Sequence, residues 1–74
     1  MLLQLYVHPV EKYLHPEEEL TFYDVIRRGR QKGEIILGFI VRGTGRVVLN
    51  PKTKAARSLS RDTVEALVVL AESA

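Results

Sequence analysis

Cysteine and tryptophan are both absent from the 74 residues, and methionine occurs once. Without cysteine there is no disulfide framework, no thiolate nucleophile and no cysteine metal site, which suits an intracellular or organellar compartment. Histidine occurs only as His8 and His15, each directly before a proline. No serine stands in a nucleophile-elbow context, so the pairing of nucleophile and base that hydrolytic chemistry needs is missing and no catalytic activity is expected. No uncharged apolar run approaches the length of a membrane span, and the opening Met1–Val7 is too short and too poor in basic flank for a signal peptide or an anchor. Acids are scarce in one stretch above all. Between residues 25 and 57, Glu34 alone faces Arg27, Arg28, Arg30, Lys32, Arg42, Arg46, Lys52, Lys54 and Arg57.

The chain opens with the opposite sign, Glu11, Glu17, Glu18, Glu19 and Asp24 against Lys12, so a net charge of +2 conceals an acidic start and a basic middle. Such segregation attracts nucleic acid, a phosphate-bearing ligand or an acidic partner surface, or is a solvated face with a complement inside the molecule. Stacking platforms are missing from the most basic stretches, since Tyr6, Tyr13, Phe22, Tyr23 and Phe39 all lie outside the 42–46 turn and the 51–58 loop. A small basic domain that binds nucleic acid electrostatically is therefore an alternative resting on composition. Apolar residues at 46% exclude a disordered chain, and the length allows one module, residues 1–74, with one modest core.

The chain is organised around residues 34–50, two apolar runs joined by Arg42-Gly43-Thr44-Gly45-Arg46. Ile, Val, Leu and Phe bounded by a Gly-Thr-Gly connection predict a β-hairpin. Its runs are nearly continuous in apolar character, so both faces are expected to be covered. Before it, Leu3, Leu5 and Val7 alternate with Gln4, Tyr6 and His8, the period of a strand whose leucine face is dry. Val10–Leu14 reads as a helical turn or a second extended segment. Thr21 with Asp24 forms a capping-box pattern, and Phe22, Val25, Ile26 and Gly29 make one apolar stripe, predicting a helix over about 22–32 with Gly33 as its C-terminal cap. Gly29 offers close approach to a sheet. After the basic loop 51–58, Ser60 or Asp62 caps a short turn, and Ala66–Ala71 reads as a buried strand in preference to a helix over Ser60–Ala71, because Val68-Val69 favours strand. The fold class is α+β, a small mixed or antiparallel sheet with one main helix packed on it.

Two constellations carry possible binding chemistry. Arg42 and Arg46 flank glycines that let a backbone approach an anion, and each guanidinium offers a bidentate fork; they are the candidate ligand contacts. Glu17, Glu18, Glu19 and Asp24 place four carboxylates within eight residues, a composition hard cations favour, although the spacing matches no EF-hand loop and a solvated run before a helix is the competing reading. Phe39 and Ile40, in the first hairpin strand, are candidates for an interface or the core.

The segments Leu5–Leu14, Glu19–Ile26 with Arg28-Gly29-Arg30, Glu34–Phe39 and Val48-Leu49-Asn50-Pro51 resemble the C-terminal regulatory region of the CASTOR/POLLUX ion channels, and the layout is similar to the smaller C-terminal lobe of RCK domains. The resemblance runs from Leu5 to about Ala71. It implies a non-catalytic regulatory module of a gating ring on the intracellular face of a cation channel, potassium or calcium-permeable, in the cytoplasm or at a nuclear or plastid envelope. It implies a homodimer or larger ring, assembled with a Rossmann-like lobe and a pore domain, with no direct membrane insertion. It implies no required cofactor, with Ca²⁺ or a nucleotide as a regulatory ligand. One departure is local: where the family carries Gly-Asp before the last strand, this chain has Val64-Glu65.

Overall fold

A computed structural model describes residues 2–55 and 58–73. Four strands and one helix follow in the order β1 (Leu3–Pro9), a 3₁₀ turn (Val10–Lys12), α1 (Phe22–Gln31), β2 (Ile35–Val41), β3 (Val47–Leu49) and β4 (Val64–Glu72). The sheet is antiparallel throughout, in the spatial order β1-β4-β2-β3. β4 is therefore the interior strand that both β1 and β2 need, which is why its Val/Leu run is the most deeply buried of the four. Ala56 and Arg57 of the expected basic loop lie outside the described residues.

α1 forms where its caps dictate. The Thr21 hydroxyl accepts from the Asp24 amide and the Asp24 carboxylate accepts from the Thr21 amide, both at 3.1 Å, satisfying two donors of the first turn. At the other end Gly33 takes φ +74°, the left-handed conformation that ends a helix without a Cβ penalty. Phe22 and Val25 point into the core with Val10, Tyr13 and Leu14 of the turn after β1 and Leu67 and Val69 of β4. Opposite the helix start, Leu20 and Leu59 exchange backbone hydrogen bonds at 2.8 and 3.1 Å, and Lys54 O accepts from the Phe22 amide, so the long connection after β3 is tied down at the helix N-terminus.

Two expectations are overturned. The dry face of β1 is not Leu3, Leu5 and Val7. These three point outward, 46%, 59% and 60% exposed, while Tyr6 and His8 face the core side. Pairing fixes this, because Tyr6 opposes Val69 and His8 opposes Leu67, the two innermost side chains of β4, while Leu5 opposes Leu70 and Val7 opposes Val68. The hairpin also has one covered face instead of two. Ile35, Val47 and Leu49 are 52%, 53% and 59% exposed on the side away from α1. β1 runs through His8 to Pro9, which occupies the last position of an edge strand where no ladder donor is required.

Close approaches set where the layers meet. A Cβ on Gly29 would lie 2.5 Å from Ile36 Cγ1, so the helix crosses the sheet at this glycine. A Cβ on Gly38 would lie 2.0 Å from the Val48 carbonyl oxygen and 2.9 Å from Leu49 Cα. Side-chain atoms of Ile36 can shift, whereas the β3 backbone cannot without breaking its pairing. Gly29→Ala is therefore expected to cost about 1–2 kcal/mol, overpacking partly offset by helix propensity. Gly38→Ala should cost about 3 kcal/mol or more, most of what a core of this size supplies. Urea unfolding midpoints check the ranking, and equal midpoints for the two variants contradict it.

Candidate functional site

A chain of half-buried polar groups joins the end of β1, the turn that follows it and the start of β2. Tyr13 OH donates to Glu34 Oε1 at 2.7 Å, and His8 Nδ1 lies 2.7 Å from the same hydroxyl and 3.5 Å from Glu34 Oε2. A tyrosine hydroxyl has one hydrogen, and here it goes to Glu34. His8 Nδ1 must then be the donor to the Tyr13 oxygen, which assigns neutral His8 to its Nδ1–H tautomer. Burial first, then the Glu34 carboxylate that accepts its hydrogen and repels a phenolate, pushes the Tyr13 hydroxyl well above the ordinary tyrosine range. The Lys32 ammonium sits 5.7 Å from the centre of the Tyr13 ring, closing the cluster from the helix side. Tyr13 is 4% exposed, and the arrangement locks three segments together.

Beside this lock lies a second polar contact. Arg28 donates to both Glu18 oxygens at 2.7 and 2.8 Å and to the Tyr13 carbonyl at 2.6 Å, a bidentate fork that ties α1 to the loop before it. The Glu18 carboxyl is held down at about 2, chiefly by Arg28 and then by the His15 amide that it also accepts from. Lys12, His15, Arg28 and Lys32 line an open cleft of about 350 Å³ on this side of the molecule.

The residues singled out in the sequence are dispersed. Arg42 is occupied by its own fold, Nε donating to the Arg61 carbonyl at 2.8 Å and Nη2 to the Val64 carbonyl at 3.2 Å, with Glu11 at 3.7 Å. Arg46 stands exposed at the tip of the hairpin, its backbone carbonyl accepting from Val41. Glu18 is taken by Arg28, and Asp24 serves the helix cap and Arg27. Glu17 and Glu19 are exposed beside a cleft of about 290 Å³ that Arg61 and Asp62 also line. Among the described residues no three histidine or carboxylate side chains converge as a metal-holding group. Phe39 packs inward with its ring 6.2 Å from that of Phe22, while Ile40, paired with Ala66 and Val47, belongs to the outer face. The lock was missed in the sequence. Its one signal was Glu34, the sole acid in a basic stretch, whose charge called for a partner.

No protein-family profile matches the chain. Individual proteins do. It is 42% identical over 52 residues to the probable ion channel POLLUX of Arabidopsis thaliana, covering 70% of this chain and 6% of that protein. It is 41% identical over 69 residues to the ion channel DMI1 of Medicago truncatula, covering 92% of this chain and 8% of that one. The probable ion channel SYM8 of Pisum sativum is 36% identical over 70 residues, 93% of this chain and 8% of the relative. The chain belongs with the CASTOR/POLLUX ion channels. It is the counterpart of one short segment, spanning less than a tenth of the length of these relatives. No helix among its described residues is long and apolar enough to cross a membrane.

In this channel-family segment the two polar contacts have measurable consequences. Tyr13→Phe leaves Glu34 and His8 without their shared partner in a half-buried site and should cost about 1–2 kcal/mol in urea unfolding; an unchanged midpoint contradicts the lock. The Glu18 carboxyl is depressed from an ordinary 4.5 to about 2, so what it contributes to stability is fully present above 4.5 and is lost as pH falls toward 2. The difference in melting temperature between the native chain and Glu18→Gln should accordingly shrink across that window, and a constant difference refutes the clasp.

Proposed function

We propose that the chain is a non-catalytic regulatory module of a cation channel, a lobe of a gating ring that assembles with a Rossmann-like lobe and transmits the presence of an ion or small ligand to a pore. One observation carries the reading: the chain matches ion channels along 92–93% of its own length while amounting to 8% of theirs, the relation of a module to a larger machine. Its build supports this. Its half-buried polar groups are spent on joining its own segments, and its sheet leaves exposed apolar side chains on the side away from α1. Within this reading Arg46, projecting from the hairpin tip, is the better-placed anion contact, since two nitrogens of Arg42 already donate to backbone carbonyls. Glu17 and Glu19 are the carboxylates left to meet Ca²⁺, Glu18 being held by Arg28.

A chimera tests the proposal. In Medicago truncatula DMI1, replacing the matching segment by this chain should preserve regulated currents, whereas deleting the segment should leave a channel that reaches the membrane and no longer responds to its regulator. Currents from the deletion that are regulated like those of the intact channel contradict a regulatory role.

A further inference from the structure

Cations from separate elements gather at the cleft between the 3₁₀ turn and the end of α1 without acids to match them. Lys12 comes from the turn and Lys32 from the residue that closes the helix, and both line an opening of about 350 Å³ together with Glu11, His15, Arg28 and Gln31. The charges there can be followed one by one. Arg28 is neutralised by Glu18, whose two oxygens it grips at 2.7 and 2.8 Å. Glu11, the acid of the lining, is drawn toward Arg42, 3.7 Å away. Among the described residues no carboxylate pairs with Lys12 or Lys32. Two ammonium groups are left uncompensated, and a concave wall focuses their field on whatever enters.

We infer that this cleft binds a phosphate monoester with a small hydroxylated organic part, the phosphate lying between Lys12 and Lys32. Three features select that class. A phosphate monoester carries about −1.5 to −2 charges at neutral pH, which matches two free ammonium groups, whereas a single carboxylate leaves one of them unmatched. The remaining lining is polar: the Gln31 amide can donate to a hydroxyl oxygen and the Glu11 carboxylate can accept from a hydroxyl, which suits a sugar or a cyclic polyol. Nothing there suits a nucleobase. Tyr13 and Leu14 are buried, and the Lys32 ammonium already sits 5.7 Å from the centre of the Tyr13 ring, so no aromatic face is open for stacking. The volume falls near the lower end of the range of small-ligand sites, about 300–1,000 Å³. The same phosphorylated ring can arrive free in solution or as a lipid headgroup. As a channel regulator this ligand rests on the module reading, yet binding by the isolated chain and gating of a parent channel are separate measurements, so either can fail alone.

Amide chemical shifts of the isotope-labelled full chain, titrated with glucose 6-phosphate, read the outcome. Saturable shifts below about 10 mM should centre on residues 11–15 and 28–32, and glucose alone should give none. Lys12→Gln and Lys32→Gln should each weaken binding about tenfold, the loss of one charge contact in a solvated cleft, with unchanged urea midpoints. Lys52→Gln, in the loop after β3, should bind like the native chain. Co-sedimentation with phosphatidylcholine vesicles containing phosphatidylinositol 4-phosphate is the second arm. Shifts with the soluble ester uphold the site and make that ester the source; vesicle binding alone, lost in both lysine variants, upholds it with the lipid headgroup as the source. Neither shifts nor vesicle binding overturns the proposal. Binding that survives both lysine substitutions overturns it too, as does adenosine monophosphate binding more tightly than glucose 6-phosphate.

Discussion

Pairing between β1 and β4 decides which half of the molecule is dry. Side chains alternate along a strand, so sliding β1 by one residue would exchange every inward group for its outward neighbour. In the observed register Tyr6 and His8 lie against Val69 and Leu67, and His8 arrives within 2.7 Å of the Tyr13 hydroxyl. Slipped by one, Leu5 and Val7 would face the core while His8 left Tyr13, and Glu34 would keep a charge under the sheet with one partner fewer. Tyr13 would still donate to Glu34, and the bond lost would be the one His8 makes to the Tyr13 oxygen. The observed register forms the His8–Tyr13–Glu34 lock and places the leucines outside.

The same choice separates two kinds of surface. On the helix side, polar groups are satisfied internally: Arg28 grips Glu18 and the Tyr13 carbonyl, Arg42 holds the carbonyls at the start of β4, and Arg61 reaches back to the Leu14 carbonyl at 2.8 Å. These arginines account for part of the basic excess as structural staples. On the sheet side there is little but hydrocarbon. The segment, 8% of the length of a channel relative, thus sets an apolar sheet face against a helix side whose polar groups are paired internally.

Features written in neighbouring residues were legible in the sequence. The capping box at Thr21 and Asp24, the glycine at 29 where the helix meets Ile36, the cap at Gly33, the hairpin and the preference for strand over helix at Val68-Val69 all rest on signals a few residues apart. Contacts closed across the chain were not. Nothing local tells that Arg42 will bond to carbonyls 19 and 22 residues on, or that one of three consecutive glutamates will meet Arg28. The facing of β1 was misread because both of its alternations are acceptable inside: leucines by hydrophobicity, Tyr6 and His8 only once Tyr13 and Glu34 are there to receive them. Apolar residues at strand period reveal the strand and leave its inward side undetermined when the polar set is amphipathic.

The β1–β4 register decides which face of β1 is dry and whether His8 reaches the Tyr13 hydroxyl. Interstrand backbone NOEs in the isotope-labelled chain test it most directly. Cross-strand contacts should pair Leu5 with Leu70, Tyr6 with Val69 and Val7 with Val68. A ladder displaced by one residue, with Leu5 opposite Val69, would contradict it.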